Sequence, residues 1–283
     1  MSRRTLTAAL AGGLAAACSP LAMMNNLAPR DRGAGRVAAD LAYGEDSRQR
    51  LDLYAPAQGR DWPVVVYFYG GSWNSGSRDL YGWAAQALAA EGFLVALPDY
   101  RLVPEVRFPA FVEDAAAATA RVQAIARDHG GDPARLAVGG HSAGAHLALM
   151  IALDPRYLRA AGAPGAIKAA FGLSGPYDFL PFDVSSTIQA FGRHPDPRET
   201  QPLTFASAEA PPLWLGHGER DTTVHAEDSV LLAQAVNRAG GAAELRLYPE
   251  LDHAATIAAF SPLFRGRAPV LAEITAFLER TLG

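Results

Sequence analysis

The sequence is poor in thiols. Cys18 is its single cysteine, so no disulfide can form within the chain and no cysteine-based metal cage is available. It has no long run of like charges and no internal repeat. With a net charge of −4 and a pI of about 6.0, it lacks the basic face that a nucleic-acid partner would need. Its histidines and carboxylates show no ligand spacing such as H-E-x-x-H, so neither a metal nor another cofactor is expected. What the chain has in quantity is apolar surface. Hydrophobic residues make up 49% against 19% charged over 283 residues, enough for the core of one large α/β domain.

The first thirty residues stand apart. Arg3 and Arg4 give a positive start, and residues 8–17 form an apolar run of Ala, Leu and Gly. That run is too short to span a bilayer and has the shape of a secretory signal. Leu14-Ala15-Ala16-Ala17-Cys18 resembles a bacterial lipoprotein processing site, with Ala15 where such sites usually carry Leu. The expectation is a signal peptide over 1–17, lipidation at Cys18 and a Pro- and Gly-containing tether over 18–35. It implies export, either to the periplasm or to a membrane-anchored lipoprotein in a bacterium. A mature chain without a free thiol suits an oxidising compartment.

From residue 36 on, short apolar strands alternate with helical patterns. Residues 36–43 and 49–54 read as an antiparallel pair, the second with Leu51 and Leu53 inward and Asp52 outward. Residues 63–69 are β-branched and aromatic, the strongest strand in the chain. Further strands are expected at 93–97, 136–139, 167–173, 212–216 and 243–248. Helical spacing occupies 79–91, 111–128, 145–153, 228–238 and 269–282. This alternation predicts an α/β fold, a mostly parallel sheet with helices on both faces, in one domain over 36–283. Residues 177–207 break the pattern with prolines and scattered aromatics, Phe179, Phe182, Phe191 and Phe205. A long irregular segment inside a compact domain is usually a functional cover, so it reads as a short cap.

The stretch Gly140-His141-Ser142-Ala143-Gly144 reads G-x-S-x-G between a strand and a helix. Such a turn holds its serine in a strained backbone and admits only small residues two positions either side. Ser142 is therefore the candidate nucleophile. A serine hydroxyl needs a base to take its proton, and the base needs an orienting carboxylate. In a parallel sheet both come from later strand ends. Asp221 follows the 212–216 strand and His253 follows the 243–248 strand, giving the order Ser, Asp, His. Asp228 is the reserve acid, while Asp252 is too close to His253 in sequence to reach its ring. His146 should face the sheet or a neighbouring helix, and His217 should belong to the turn that holds the acid. His129, His194 and His225 have no strand end to bring them to Ser142. The oxyanion formed on attack needs preorganised N–H donors. Ala143 is one, and Gly70 and Gly71 after the 63–69 strand are the others, since glycine lets backbone approach a ligand.

Tyr69-Gly70-Gly71-Ser72-Trp73, Gly76-Ser77, Asp99-Tyr100-Arg101-Leu102 and residues 139–146 together resemble the α/β-hydrolase superfamily. The likeness runs from about Gln49 to the C-terminus. Within it the chain is similar to the carboxylesterase, hormone-sensitive-lipase-like and arylformamidase-like branch, often with an H-G-G-x-W loop. The family's loop usually opens with His, which is thought to brace it, and this chain has Tyr69. A tyrosine could brace the loop differently or reach into the site. Tyr69 and Trp73, with Phe179, Phe182 and Phe191 of the cap, are the candidate pocket residues.

The reading is a serine carboxylesterase acting on short- to medium-chain esters of small molecules through an acyl-enzyme. An arylformamidase-type amidohydrolase or an acetyl or feruloyl esterase would use the same groups. A non-catalytic binding protein on this fold would be expected to lack a triad member, and none is missing. The leader makes its own prediction. If Cys18 carries lipid, the protein sits in the membrane fraction of its host, and Cys18→Ala releases it or blocks processing. Wild-type protein wholly in the cytosol with residues 1–17 intact would rule this out.

Overall fold

A computed structural model describes residues 29–283. The expected signal segment, Cys18 and most of the tether lie outside the described residues. Eight strands form one sheet in the order β1-β2-β4-β3-β5-β6-β7-β8. They are β1 (Ala34–Ala42), β2 (Arg50–Pro56), β3 (Trp62–Phe68), β4 (Leu94–Pro98), β5 (Gly131–His141), β6 (Ile167–Leu173), β7 (Leu213–Gly218) and β8 (Ala243–Tyr248). β2 runs antiparallel to both of its neighbours, and every pair from β4 to β8 is parallel. In the middle of the sheet, Val64 to Phe68 and Leu136 to Val138 are wholly buried. Unbroken apolar runs of this kind are what strands covered on both faces require.

The covering helices are α1 (Arg78–Ala90), α2 (Ala110–Ile125), α3 (Ala143–Leu153), α4 (Pro155–Ala160), α5 (Ser185–Phe191), α6 (Glu227–Arg238), α7 (His253–Ala258) and α8 (Val270–Leu282). α4 and α7 were not expected from the sequence. Each is six residues long, too short to show a helical period. Both are set by their caps instead. The Asp154 side chain accepts from Arg156 N–H ahead of α4, and Asp252 accepts from Ala255 N–H ahead of α7. β1 begins at Ala34, so the expected tether gives way to the sheet two residues earlier than predicted. Asp31 is also tied to the body, by both carboxylate oxygens to the Arg265 guanidinium at 2.9 Å.

Asp52 corrects the reading of β2. It does not face outward but is 2% exposed. Its oxygens accept from the guanidinium of Arg36 (3.0 Å), the Asp40 N–H (2.9 Å) and Nε of Arg78 (3.1 Å). β2 lies inside the sheet between β1 and β4, where a polar residue is tolerated only when its charge is paired.

Residues 177–207 do form an irregular cap, with α5 and two short 3₁₀ turns at Pro197–Thr200 and Pro202–Phe205. His146, on α3, holds it down. Of the two placements the sequence left open, the sheet or a neighbouring helix, it takes the second, packing edge-on against Phe191 at the end of α5 and against Trp73 and Phe179. Its Nε2–H donates to the Thr200 carbonyl at 2.9 Å. Full burial disfavours the imidazolium and lowers its pKa to about 4. A base with a depressed folded pKa costs stability once the unfolded chain binds a proton that the fold rejects. Stability carried by His146 is therefore complete above the ordinary histidine value of about 6.5 and is lost as pH falls from there to about 4. Urea unfolding across that window should show a weaker pH dependence for His146→Gln than for wild type. Parallel curves would contradict the assignment.

Candidate active site

Everything at the site is referred to the turn between β5 and α3. Ser142 has φ +56° and ψ −126°, a region a side chain enters only when its surroundings force it. The surroundings are backbone. A Cβ on Gly144 would meet the Phe68 carbonyl oxygen at 2.1 Å, and one on Gly140 would meet the Gly144 carbonyl carbon at 2.4 Å. Two glycines are thus required for the end of β3, the end of β5 and the start of α3 to touch.

Three sequence-predicted side chains meet here. His253 Nε2 lies 2.9 Å from Ser142 Oγ, and His253 Nδ1 lies 2.7 Å from Asp221 Oδ2. Asp221 is a turn residue beyond β7, and its Oδ1 accepts from the N–H groups of Thr223 and Val224 at 2.9 Å each. Burial alone would raise its pKa. Hydrogen bonds from His217 and His253 and from Val224 N–H outweigh that and hold the carboxyl well below the usual carboxylate range. His217 occupies the place expected of it, buried on β7 with Nε2 at 3.3 Å from Asp221 Oδ2. Asp228, the reserve acid, is engaged elsewhere. Its Oδ1 accepts from Tyr177 and Asp178 N–H at 2.7 Å and anchors the start of the cap.

His253 is the first residue of α7, and its backbone is held as firmly as its ring. Its carbonyl accepts from His141 Nε2 at 2.8 Å and from Thr256 Oγ1 at 3.0 Å. His141 is buried next to His253, and burial together with that neighbour lowers its pKa to about 3. It therefore stays a neutral donor. This contact was not read from the sequence, because the residue between Gly140 and Ser142 is free to vary in the motif pattern.

Tyr69 to Gly76 form a tight loop after β3. Gly71, Ser72 and Trp73 all have positive φ, at +143°, +50° and +58°, and the Gly71 carbonyl accepts from Asn74 and Ser75 N–H. Gly70 packs so closely that a Cβ would lie 3.0 Å from that of Ser142. Tyr69 does not line the site. It is wholly buried, and burial raises its pKa well above the usual phenol value, so it stays a donor. Its hydroxyl donates to Asp99 Oδ1 and accepts from Arg48 Nη2, both at 2.8 Å. Arg48 also donates to the Gly76 carbonyl, Tyr100 OH to the Tyr69 carbonyl, and Arg78 N–H to Asp99 Oδ1. Both ends of the glycine loop are thereby clamped to the Asp99-Tyr100 segment after β4.

Two cavities flank Ser142 and share Ser72, Ser142 and Thr223 as a common wall. One, of about 490 Å³, adjoins His253 and is lined by Gly70, Gly71, Tyr81, Trp83, Ile257, Phe264 and Arg267 among others. The other, of about 530 Å³, adjoins Ala143 and lies under the cap, against Trp73, Phe179, Leu180 and Val184. Of the expected pocket residues, Trp73 and Phe179 line it. Phe191 does not, being wholly buried among Trp73, Phe108, Phe111 and His146. Phe182 stacks on Phe191 and is absent from both walls. Ser72 was missed in the sequence because nothing but its place after two glycines marks it.

The BD-FAE family model matches residues 51–236, more than half of the chain, from β2 into α6. The chain belongs to the BD-FAE family of α/β-hydrolases. Carboxylesterase NlhH of Mycobacterium tuberculosis is 31% identical over 226 residues, covering 71% of this chain and 69% of NlhH. Esterase LipC of the same organism is 32% identical over 208 residues, covering 66% and 52%. An isoprenylcysteine alpha-carbonyl methylesterase of Arabidopsis thaliana is 30% identical over 241 residues, covering 77% and 56%. The chain thus spans about half the length of the last two. Among solved structures, a phosphonate-inhibited esterase B from Lactobacillus rhamnosis superposes with a TM-score of 0.81 at 18% identity, over 100% of this chain and 97% of that one. At that identity the likeness carries the fold alone.

In this BD-FAE member the phenol of Tyr69 sets the glycine loop against Ser142. Tyr69→Phe leaves Asp99 with Arg78 and removes only the link through the loop. Removing an oxyanion donor outright costs about 10²–10³ in rate. Loosening the loop should cost less, about tenfold in kcat, with KM little changed and the thermal midpoint nearly kept. An unaltered kcat would show that the loop does not need this clamp.

Proposed function

We propose that the protein is a serine carboxylesterase. The observation that carries the reading is the continuous hydrogen-bonded chain from Ser142 Oγ through His253 to Asp221. The relatives named as esterases support it. His253 Nε2 takes the Ser142 proton as Oγ attacks the ester carbonyl carbon. The imidazolium that results is stabilised by Asp221, which stays ionised in its shell of donors. The carbonyl oxygen becomes an oxyanion bound by the N–H groups of Ala143, Gly71 and Ser72. Ala143 opens α3, where the first N–H groups have no intrahelical acceptor, and Ser72 stands in the wall common to both cavities. Gly70 acts as the spacer that brings these donors close, a Cβ there having only 3.0 Å to that of Ser142. The proton on Nε2 then passes to the departing alkoxide, and the acyl group remains on Oγ. Water, deprotonated by the same nitrogen, releases the acid and restores the serine.

Ser142→Ala should lower kcat on a nitrophenyl acetate by about 10⁴–10⁶ with an unchanged thermal unfolding curve. Near-normal turnover by that variant would refute the mechanism.

The acyl group is assigned to the cavity under the cap, where Trp73, Phe179, Leu180 and Val184 offer apolar surface. Each methylene buried there contributes about 0.8 kcal/mol, roughly fourfold in kcat/KM, until the chain reaches the polar rim. Activity should peak at acyl chains of about two to six carbons, without activation at lipid interfaces. A nitrophenyl ester series still rising at twelve carbons would overturn this pocket assignment.

A further inference from the structure

The two cavities beside Ser142 differ in the charged groups on their walls. The one adjoining His253 contains a single cationic side chain, Arg267, on the segment between α7 and α8. Its guanidinium is exposed and has no ion pair or hydrogen bond among the described residues. The neighbouring Arg265 differs, being committed to Asp31. The sole carboxylate on that wall is Asp252, whose Oδ1 is engaged in capping α7. Tyr81, Trp83, Ile257 and Phe264 give the same cavity an aromatic and aliphatic lining. Among the described residues, the cavity under the cap has no Lys or Arg on its wall and has three aspartates, Asp178 and Asp183 and also Asp228, whose Oδ1 is engaged by the Tyr177 and Asp178 N–H groups.

Proton transfer decides which half of an ester enters which cavity. The leaving oxygen must come within hydrogen-bond reach of His253 Nε2 to receive its proton. His253 lines the Arg267 cavity and not the other. The alcohol half therefore leaves through the Arg267 side, and the acyl half stays on the aspartate side. We propose that the site sorts the two halves of its ester by charge. Its substrate class is an ester of an apolar or aryl alcohol bearing a carboxylate or phosphate, with a short uncharged acyl group. The inference rests on the esterase reading above. It adds Arg267 as a specificity-determining residue, whose unpaired guanidinium meets the anionic end while the aromatic wall holds the body of the alcohol.

The test compares the acetyl esters of 4-hydroxybenzoate and 4-hydroxybenzamide on wild type, Arg267→Gln and Arg267→Glu. Taking the ratio of kcat/KM values between the two esters for each protein, and comparing it across proteins, cancels their different intrinsic reactivity. An exposed charge pair of this kind is worth a factor of about two to five. The ratio of anionic to neutral ester should fall by that factor in Arg267→Gln, fall further in Arg267→Glu, and shrink in wild type at 1 M salt, where screening is short-ranged. A mirror pair, nitrophenyl hemisuccinate against nitrophenyl butyrate, places the charge on the acyl half. The hemisuccinate should be the poorer substrate, with no gain from Arg267. Ratios unchanged across the three proteins would overturn the proposal. So would a dependence on Arg267 seen with the hemisuccinate instead of the benzoate. Failure of wild type on the neutral acetyl ester would instead be the failure of the esterase reading itself.

Discussion

The contact on which the site depends is between backbones, at the place where β3, β5 and α3 converge. Gly144 lies against the Phe68 carbonyl and Gly140 against Gly144, at distances that no Cβ could share. That approach forces the chain to leave β5 abruptly, and the cost appears as the positive φ of Ser142. Core packing is what sustains the strain. β5 and its neighbour β3 are buried along their apolar lengths, and interiors packed at crystal-like density do not yield to relieve one residue. The same convergence brings the Gly70 backbone to the serine. The nucleophile and the glycine loop are therefore positioned by one constraint, and neither could move without the other.

Around that backbone knot, the buried carboxylates are paired, and the pairing follows a common plan. Asp221 has His253, His217 and two N–H donors. Asp99 has Tyr69 and Arg78, Asp52 has Arg36 and Arg78, and Asp114 has Arg101 and Gln49. A buried carboxylate without such partners would protonate instead of staying charged. In three of these cases the partners span elements far apart in sequence, so the acids act as nodes joining the antiparallel edge of the sheet to the loop behind the glycines. At Asp221 the same device serves the mechanism proposed above, since a carboxylate so well supplied with donors stays ionised beside the His253 imidazole.

Much of this was legible in the sequence because it follows from local pattern. The β6 and β8 boundaries and the triad order come from apolar runs and from residues standing just after them. The motif Gly140 to Gly144 declared its own geometry. What failed to show depends on three-dimensional neighbours. Asp52 looked like the outward half of an alternation, yet β2 is internal and the charge is neutralised by Arg78 from another element. His146 could be placed no more closely than the sheet or a neighbouring helix, and its partner, a carbonyl in the cap, left no local signal. Phe182 and Phe191 looked like pocket linings because aromatics in a cap are often placed so. They serve instead to pack the cap onto Trp73, Phe108 and Phe111. Six-residue helices carry too little period to be recognised at all.

The tyrosine at the head of the glycine loop acts as its clamp. A clamp at this point must be buried, hold the loop's entry by hydrogen bonding, and avoid adding a charge beside the site. Tyr69 satisfies all three. Its ring lies 4.8 Å from that of Tyr100 and 5.5 Å from that of Tyr81, so the apolar body is accommodated by stacking. Its hydroxyl is both donor and acceptor, and uses both capacities on Asp99 and Arg48. Arg48 then reaches the far end of the loop at the Gly76 carbonyl. A phenol is long enough to place its polar atom beyond the loop, at the Asp99 node, which a shorter side chain at this position would not reach. The phenol therefore couples the loop to the buried acid network behind it, and the rigidity of the loop facing Ser142 becomes a property of that network.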